Sequence, residues 1–235
     1  MKVVIIGTGN VALVLGYRLQ KAGHELVQLY GRTTASVQQL AAELDTEACW
    51  VYDSMNTEAD AYIIAVADTA IAEVAAQLKP HPNALVVHTA GSISINVLAG
   101  RFEWYGVLYP LQSVKAWRAN NLEIPLLIDA GSAEAMAKLE ALAHSLSNTV
   151  KQADDSYRNR MHVAAVFSNN FTNYLLGVAQ RYCINENLDF QLLWPLIRET
   201  VERLPYLNPE LSQTGPARRN DQPTITRHLD LLEAY

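Results

Sequence analysis

Residues Lys2 to Ala12, which read KVVIIGTGNVA, decide the fold of this chain. The apolar run Lys2–Ile6 is rich in β-branched residues and predicts a strand that is buried on both faces. A glycine loop follows at once, and apolar residues then recur at helical spacing as far as Leu19. Another apolar run, Glu25–Tyr30, predicts a second strand. This order of strand, glycine loop, helix and strand predicts a βαβ unit that binds a dinucleotide.

Each small residue of the loop has a physical role in such a unit. Gly7 lets the chain turn sharply out of the strand. Gly9 has no Cβ, so a pyrophosphate can approach the backbone N–H groups at the positive end of the helix. Ala12 stands where a third glycine is usual, and a methyl group still permits close packing of helix and strand. The alternative is a turn whose glycines serve packing alone.

The end of the second predicted strand indicates which cofactor is bound. A site for NAD usually has Asp or Glu about 20 residues beyond the glycines, where it binds the ribose 2′-hydroxyl. Residues 30–34 are Tyr-Gly-Arg-Thr-Thr and contain no acid. Arg32 can pair with a 2′-phosphate, and the hydroxyls of Thr33 and Thr34 can donate to it. We therefore expect NADP (NADPH) rather than NAD, the alternative being a solvated arginine before a helix cap.

Composition and charge limit the function classes. The 235 residues are 50% hydrophobic and carry a net charge of −6, which argues against nucleic-acid and anionic-membrane partners. No apolar run has membrane-spanning length, and no signal peptide is recognised, so we expect a cytoplasmic protein. The two cysteines, Cys49 and Cys183, are too few for a disulfide framework, and no cluster has metal-ligand spacing.

Strands alternate with helices through the first two thirds of the chain. Apolar runs predict strands at 48–51, 60–66, 84–88, 105–108, 124–128 and 149–151, and helices at 34–44, 71–78 and after Ser132. This alternation predicts an α/β fold with a doubly wound, mostly parallel Rossmann sheet. Ligands bind beyond the carboxyl ends of such strands. We expect the cofactor to contact Gly7, Thr8, Gly9, Asn10, Val11, Ala12, Arg32, Thr33, Ala67 and His88.

The composition changes near residue 154. Strand patterns stop, and helices are predicted at 156–187, 189–204 and 224–235, with a polar turn at 214–221. We therefore predict two domains: a Rossmann domain at 1–153 and an all-helical domain at 154–235. The first long helix is apolar on more than one face, which indicates a homodimer built through the helical domain.

Several motifs together resemble a known family. They are residues 7–12, 87–91 (VHTAG), 162–167 (HVAAVF) leading to Asn170, 194–196 (WPL), and 214–216 (TGP) with Arg219, Asp221, Thr224 and His228. The pattern is similar to that of small Rossmann-like proteins with a C-terminal helical domain of unknown function. These are related to deazaflavin-dependent NADP oxidoreductases and, more distantly, to pyrroline-5-carboxylate reductase. Tyr109 stands where the family tends to have histidine. The resemblance implies a fold and a cofactor class, and it supplies no substrate.

Candidate catalytic residues lie near the predicted junction of the two domains. His162 is the first choice for a proton donor because imidazole titrates near neutrality. Asn169 lies on almost the same helical face, whereas Asn170, which matches the family motif, points about 80° away at helical pitch. Tyr109 is a second candidate donor. The catalytic set is thus His162, Asn170 and Tyr109. Each of these residues also has a structural interpretation. His162 can be a hydrogen-bonded histidine at the domain junction, and Tyr109 can simply pack in a loop. His88 can be a buried core histidine.

These features predict an NADP-dependent oxidoreductase that transfers hydride to or from a small carbonyl or imine substrate. The alternative is a non-catalytic NADP(H)-binding regulatory or scaffold protein. The glycine loop explains binding and not chemistry, so it cannot separate the two. Arg219 and Asp221 are interpreted as an ion pair that holds the polar turn, the alternative being a site that binds a substrate carboxylate.

Overall fold

The computed structural model describes residues 1–115 and 123–233. Its strands are β1 (Lys2–Ile6), β2 (Glu25–Tyr30), β3 (Glu47–Cys49), β4 (Ala61–Ile64), β5 (Leu85–His88), β6 (Trp104–Pro110), β7 (Leu126–Ala130) and β8 (Val150–Gln152). They form one eight-stranded sheet in the order β3-β2-β1-β4-β5-β6-β7-β8. The predicted doubly wound α/β sheet is confirmed.

The α-helices are α1 (Asn10–Lys21), α2 (Thr34–Glu43), α3 (Ile71–Gln77), α4 (Ala133–Leu146), α5 (Asp155–Ala165), α6 (Thr172–Asn185), α7 (Trp194–Glu202), α8 (Pro216–Arg219) and α9 (Gln222–Leu232). Between α5 and α6 the chain forms a π-helix, Val166–Phe171, which we call the π segment. Short 3-10 turns occur at Tyr52–Ser54, Asp68–Ala70, Ile95–Val97 and Phe190–Leu193. The predicted helix at 156–187 is thus a succession of α5, the π segment and α6.

Strand direction places several loops at one edge of the sheet. Every pair from β3 to β6 is parallel, whereas β7 runs antiparallel to β6 and β8 runs parallel to β7. The carboxyl ends of β1 to β6 therefore meet at one edge, which we call the carboxyl edge. Ligands of doubly wound sheets bind at this edge, where the strand order reverses between β1 and β4.

Both faces of the sheet are covered by apolar side chains. Val3 and Ile5 of β1 pack with residues of α1, α2 and α4, whereas Val4 and Ile6 pack with residues of α3 on the opposite face. A strand with two buried faces needs an unbroken apolar run, which explains the sequence of β1. Further along the second face, Tyr157 and Met161 of α5 pack against β6 and β7.

Strand β6 extends beyond the predicted strand 105–108, because Tyr109 and Pro110 also belong to it. Tyr109 pairs with Leu127 and Pro110 with Leu126. Tyrosine favours strands, and a proline at the final position removes a backbone donor only where the ladder ends. The side chain of Tyr109 is therefore fixed by a strand.

The chain forms two compact units, Met1–Thr172 and Asn173–Tyr235. The strands end at Gln152, and the later elements of the described residues are helical. The first unit includes α5 and the π segment as well as the sheet. The predicted boundary between domains 1–153 and 154–235 stays a prediction.

The turn at 214–221 differs from its interpretation in the sequence. It contains the short helix α8, and no ion pair joins Arg219 to Asp221 in the part of the chain that the structure describes. The Asp221 carboxylate instead accepts a hydrogen bond from the Thr224 N–H at 3.2 Å and caps α9. The expected ion pair is wrong because helix capping occupies that carboxylate.

Residues 1–115 and 123–233 contain neither a helix that could span a membrane nor a cluster of metal-binding side chains. No helix there combines the length and the apolar character needed to cross a bilayer. No group of three or more His, Cys, Asp or Glu side chains there is arranged to hold a metal ion.

His88, at the end of β5, is a fully buried polar residue. Its Nδ1 accepts a hydrogen bond from the Ala90 N–H at 3.2 Å. Burial, reinforced by the nearby positive charge of Arg158, lowers the pKa of His88 to about 4. The imidazole is therefore neutral at pH 7. His88 is a core residue in this structure, and its expected contact with a cofactor stays a prediction.

The lowered pKa of His88 predicts a pH dependence of stability. An unfolded histidine has a pKa of about 6.5, so the unfolded chain binds a proton at this site before the folded chain does. We expect the free energy of unfolding to fall as pH decreases from about 6.5 to about 4, with this residue contributing at most about 3 kcal/mol. Urea unfolding of wild type and of His88→Asn, which retains an acceptor for Ala90, measures the difference in slope. His144→Asn, at an exposed histidine, is the control; equal slopes in all three proteins would contradict the prediction.

Candidate functional site

The glycine loop begins with a position that only glycine can occupy. Gly7 has φ +130°, and its N–H donates to the carbonyl of Tyr30 at 2.8 Å. A Cβ at Gly7 would lie 2.1 Å from the carbonyl oxygen of Ala65, which follows β4. The backbones leaving β1 and β4 thus approach too closely for any side chain between them.

The space around Gly9 is open, in contrast to the crowded surroundings of Gly7. Gly9 is the N-cap of α1, and a Cβ built on it would meet no described atom within 4 Å. No side chain caps this helix in the described structure, and its first turn has no acidic residue. The first N–H groups of α1 therefore face open space at the positive end of the helix dipole, which fits an anionic pyrophosphate. Ala12 is fully buried and packs in the core, as its small size predicts.

A cleft of about 260 Å³ extends from this loop across the ends of β2 and β4. It brings together six of the predicted cofactor residues: Gly7, Thr8, Gly9, Arg32, Thr33 and Ala67. Asn10 and Val11 lie in the first turn of α1 but do not line the cleft. His88 does not line it either. Exposed Arg32 and Thr33 lie after β2, where the adenosine half of a dinucleotide binds in such folds.

The cleft also contains side chains that the sequence did not indicate. Tyr52 stacks on Tyr30 with ring centroids 4.5 Å apart, and Glu73 of α3 lies in the same lining. Tyr52 follows β3 at the carboxyl edge, and that position is the one signal that could have identified it. Glu73 lies within a helix pattern that carries no such signal.

Beyond β5, Tyr109 and His162 are in direct contact. The Tyr109 hydroxyl lies 2.9 Å from Nδ1 of His162, and both side chains line a second cleft of about 620 Å³. Burial, with the negative charge of Asp68 adding to it, raises the pKa of Tyr109. The phenol is therefore protonated at neutral pH. Two of the three predicted catalytic residues thus form one hydrogen-bonded pair.

Gly91 forms the floor beneath this pair. A Cβ there would lie 2.7 Å from Cζ of Tyr109 and 2.9 Å from Nδ1 of His162. The next residue, Ser92, donates from its hydroxyl to Asp68 at 2.6 Å, so the exits of β4 and β5 are joined. The Tyr109–His162 pair therefore rests on the same loop that borders the cofactor side of the carboxyl edge.

The π segment places both asparagines on the second cleft. Asn169 and Asn170 line it together with His162, although an α-helix would turn Asn170 about 80° away. A π-helix contains more residues per turn, so each residue rotates less about the axis. The rotation accumulated between residues 162 and 170 is correspondingly smaller. The local π-helical geometry, which the sequence did not indicate, thus places Asn170, the third predicted catalytic residue, on the second cleft.

Comparison with protein families divides the chain at its middle. The family described as NADP oxidoreductase, coenzyme F420-dependent, matches residues 2–91. The family described as Domain of unknown function (DUF2520) matches residues 124–235. No curated protein matches the chain.

Solved structures share the fold over most of the chain. A proposed NADP oxidoreductase from Bacteroides fragilis is 40% identical, with a TM-score of 0.93, and the match covers 99% of this chain and 91% of that one. The 1-pyrroline-5-carboxylate reductase of Streptococcus pyogenes is 16% identical, with a TM-score of 0.70 and coverage of 100% and 92%. A reductive aminase from Aspergillus terreus, in complex with NADPH and ethyl-5-oxohexanoate, is 18% identical, with a TM-score of 0.65 and coverage of 86% and 74%.

The last two likenesses are distant and concern the fold alone, whereas the first extends to the sequence of nearly the whole chain. This chain therefore belongs to the same family as the Bacteroides fragilis protein, and it carries an N-terminal domain of the NADP oxidoreductase, coenzyme F420-dependent type followed by a DUF2520 domain.

Proposed function

We propose that the protein is an NADP-dependent oxidoreductase that transfers hydride to or from a small carbonyl or imine compound. The observation that carries this proposal is the Tyr109–His162 hydrogen bond, which lies on Gly91 at the edge that also bears the glycine loop. A reductase needs a nucleotide site and a proton donor at neighbouring places. The carboxyl edge supplies candidates for both.

The glycine loop and Arg32 would hold the cofactor. The first N–H groups of α1 would bind the pyrophosphate, and the guanidinium of Arg32 with the hydroxyl of Thr33 would bind the 2′-phosphate. When bound, NADPH supplies the hydride. The preference for NADP rests on Arg32 and on the absence of an acid from residues 30–34.

The Tyr109–His162 pair would supply the proton in reduction. If the phenol donates to Nδ1, the imidazole carries its proton on Nε2. If Nδ1 carries the proton and donates to the phenol oxygen, the Tyr109 hydroxyl keeps its own proton for another acceptor. In both arrangements, one proton donor of the pair remains for the oxygen or nitrogen that receives charge. Asn170 would bind and orient the polar group of the substrate.

The named relatives support the substrate class. The names of two distant structural relatives, a 1-pyrroline-5-carboxylate reductase and a reductive aminase, belong to carbon–nitrogen chemistry. The N-terminal family is named for coenzyme F420, so that coenzyme belongs in any screen of hydride partners.

The two cysteines bear on the cellular compartment. Cys49 and Cys183 are both unpaired and buried, which supports a reducing compartment such as the cytoplasm.

The proposal includes a homodimer formed through the helical region. On α6, Tyr174 and Leu175 are 62% and 64% exposed, an unusual exposure for large apolar side chains. We expect Leu175→Glu to convert a dimer into a monomer in sedimentation velocity, because the charge opposes burial. Gln180→Glu, at an exposed polar position of the same helix, is the control. A wild-type monomer, or a Leu175→Glu dimer, would contradict this part of the proposal.

Cofactor choice is tested by fluorescence titration with NADPH and NADH. We expect wild type to bind NADPH more tightly, and Arg32→Ala to weaken NADPH binding about tenfold or more, because a charge-assisted hydrogen bond is lost. Binding of NADH should change little. Arg101→Ala, at an exposed arginine outside the cleft, is the control. If neither nucleotide binds, the glycines serve packing and the oxidoreductase proposal must be abandoned.

The proposed chemistry is tested by His162→Ala and Tyr109→Phe. With a substrate found by loss of NADPH absorbance, we expect each variant to reduce kcat about a hundredfold, because general acid catalysis is removed. The Kd for NADPH should stay within about twofold in both, since neither residue lines the cofactor cleft. Undiminished turnover in both variants would contradict the assigned roles. Tight NADPH binding with no turnover in a broad carbonyl and imine screen would favour the regulatory or scaffold alternative.

A further inference from the structure

Asp155 and Arg158 lie three residues apart on the first turns of α5 and form an ion pair. Arg158 is fully buried and is the largest side chain in that condition within the described residues. Burial alone would raise the pKa of Asp155, but hydrogen bonds from Ser94, the Ile95 N–H and Arg158 lower it. Asp155 is therefore a carboxylate at neutral pH, and the buried guanidinium has a charged partner.

The two side chains also bind the backbone of one short segment, residues 93–95, which follows β5. Nη2 of Arg158 donates to the Ile93 carbonyl at 2.7 Å. The Asp155 carboxylate accepts from the Ile95 N–H at 3.1 Å. The pair thus contacts a donor and an acceptor two residues apart, and we call this arrangement the Asp155–Arg158 clamp.

Arg158 also connects α5 to strand β7. Its Nη1 lies 4.0 Å from Oδ2 of Asp129 in β7 and 3.5 Å from the carbonyl of Ala153, just before α5. A single guanidinium therefore contacts the loop after β5, strand β7 and the start of the helix. A planar group with several fixed donors is suited to such contacts, whereas a lysine ammonium is not.

The clamped segment and the clamping helix both lead to the proposed proton donor. One turn beyond Arg158, α5 carries His162. Just before Ile93, the loop carries Gly91, the floor beneath His162 and Tyr109, and Ser92, which donates to Asp68. Tyr109 lies on β6, which pairs with β5, so a shift of α5 relative to the loop after β5 would change the distance between Nδ1 of His162 and the Tyr109 hydroxyl.

We propose that the Asp155–Arg158 clamp is a positioning device that sets the Tyr109–His162 hydrogen bond by fixing α5 against residues 93–95. Its relevance to catalysis rests on the proposed function, but the structural effect does not. Neither residue lines the cofactor cleft or the second cleft, so both act through His162. They are positioning residues in the proposed reductase.

The experiment reads the imidazole nitrogens of His162 by ¹⁵N NMR, with all variants compared at one fixed pH. His162→Gln assigns the signal, and Tyr109→Phe gives the spectrum of the histidine without its partner. We expect Arg158→Lys and Asp155→Asn to move the Nδ1 signal towards that of Tyr109→Phe. Arg160→Lys is the matched control, because Arg160 is an exposed arginine of the same helix. It should retain the wild-type signal.

A third variant is included because a substitution of the buried Arg158 can prevent folding. Ile95→Pro removes the N–H that donates to the Asp155 carboxylate, at the first position of a 3-10 turn, and the extended Ser94 before it suits proline. It should shift the Nδ1 signal in the same direction. Because the Ile95 side chain also packs in the apolar cluster of Tyr109 and Tyr157, Ile95→Ala, which keeps the backbone N–H, is the control for the lost side chain. Wild-type signals in the folded clamp variants would overturn the proposal, as would equal shifts in Arg160→Lys.

NADPH titration of the same variants separates this inference from the proposed function. We expect each clamp variant to keep the wild-type Kd for NADPH within about twofold while kcat falls, since the clamp lies outside the cofactor cleft. If wild type fails to bind NADPH, the proposed function fails, and the nitrogen spectra still decide whether the clamp positions His162.

Discussion

The close approach of the backbones that leave β1 and β4 is the constraint on which the rest of this molecule depends. These are the two central strands where the order of the sheet reverses, and only glycine fits at residue 7, because a Cβ there would lie 2.1 Å from the carbonyl oxygen of Ala65. Because the chain turns there without a side chain, α1 begins directly at the edge with its first N–H groups exposed. The crevice, the positive helix end in it and its position across the ends of β2 and β4 all follow from that turn.

A second level of organisation joins helix α5 to this edge. The first unit does not end with the last strand, because α5 packs on β6 and β7 and buries Arg158 beneath it. Polar contacts, rather than apolar packing alone, fix that helix: an ion pair, two bonds to the loop after β5 and the Tyr109–His162 bond. Buried polar contacts have narrow geometric requirements, so they define the position of a helix more sharply than apolar contacts do.

Local patterns carried the prediction of the fold, and long-range contacts limited the prediction of the site. The run Lys2–Ile6 and the glycine loop each contain their own signal, and the topology of parallel strands then places the loops at one edge. The sequence indicates Tyr109 and His162 as two separate candidates. They are 53 residues apart, so no local pattern predicts the hydrogen bond between them. Arg158 gave no signal because its burial depends on Ile93 and Asp129. Asn170 needed the π geometry, and residues 166–171 contain no glycine or proline to indicate it.

The π segment gives the two walls of the second cleft different local stabilities. Tyr109 lies on β6, between two neighbouring strands and among buried apolar side chains, so its backbone exposes only when a large part of the sheet opens. Asn169 and Asn170 lie on a helical stretch with no buried residue. Local opening there requires little free energy, so amide hydrogens of the asparagine wall exchange with solvent sooner than those of the tyrosine wall. The cleft thus pairs a rigid tyrosine wall with an adaptable asparagine wall, a combination suited to ligands of more than one shape.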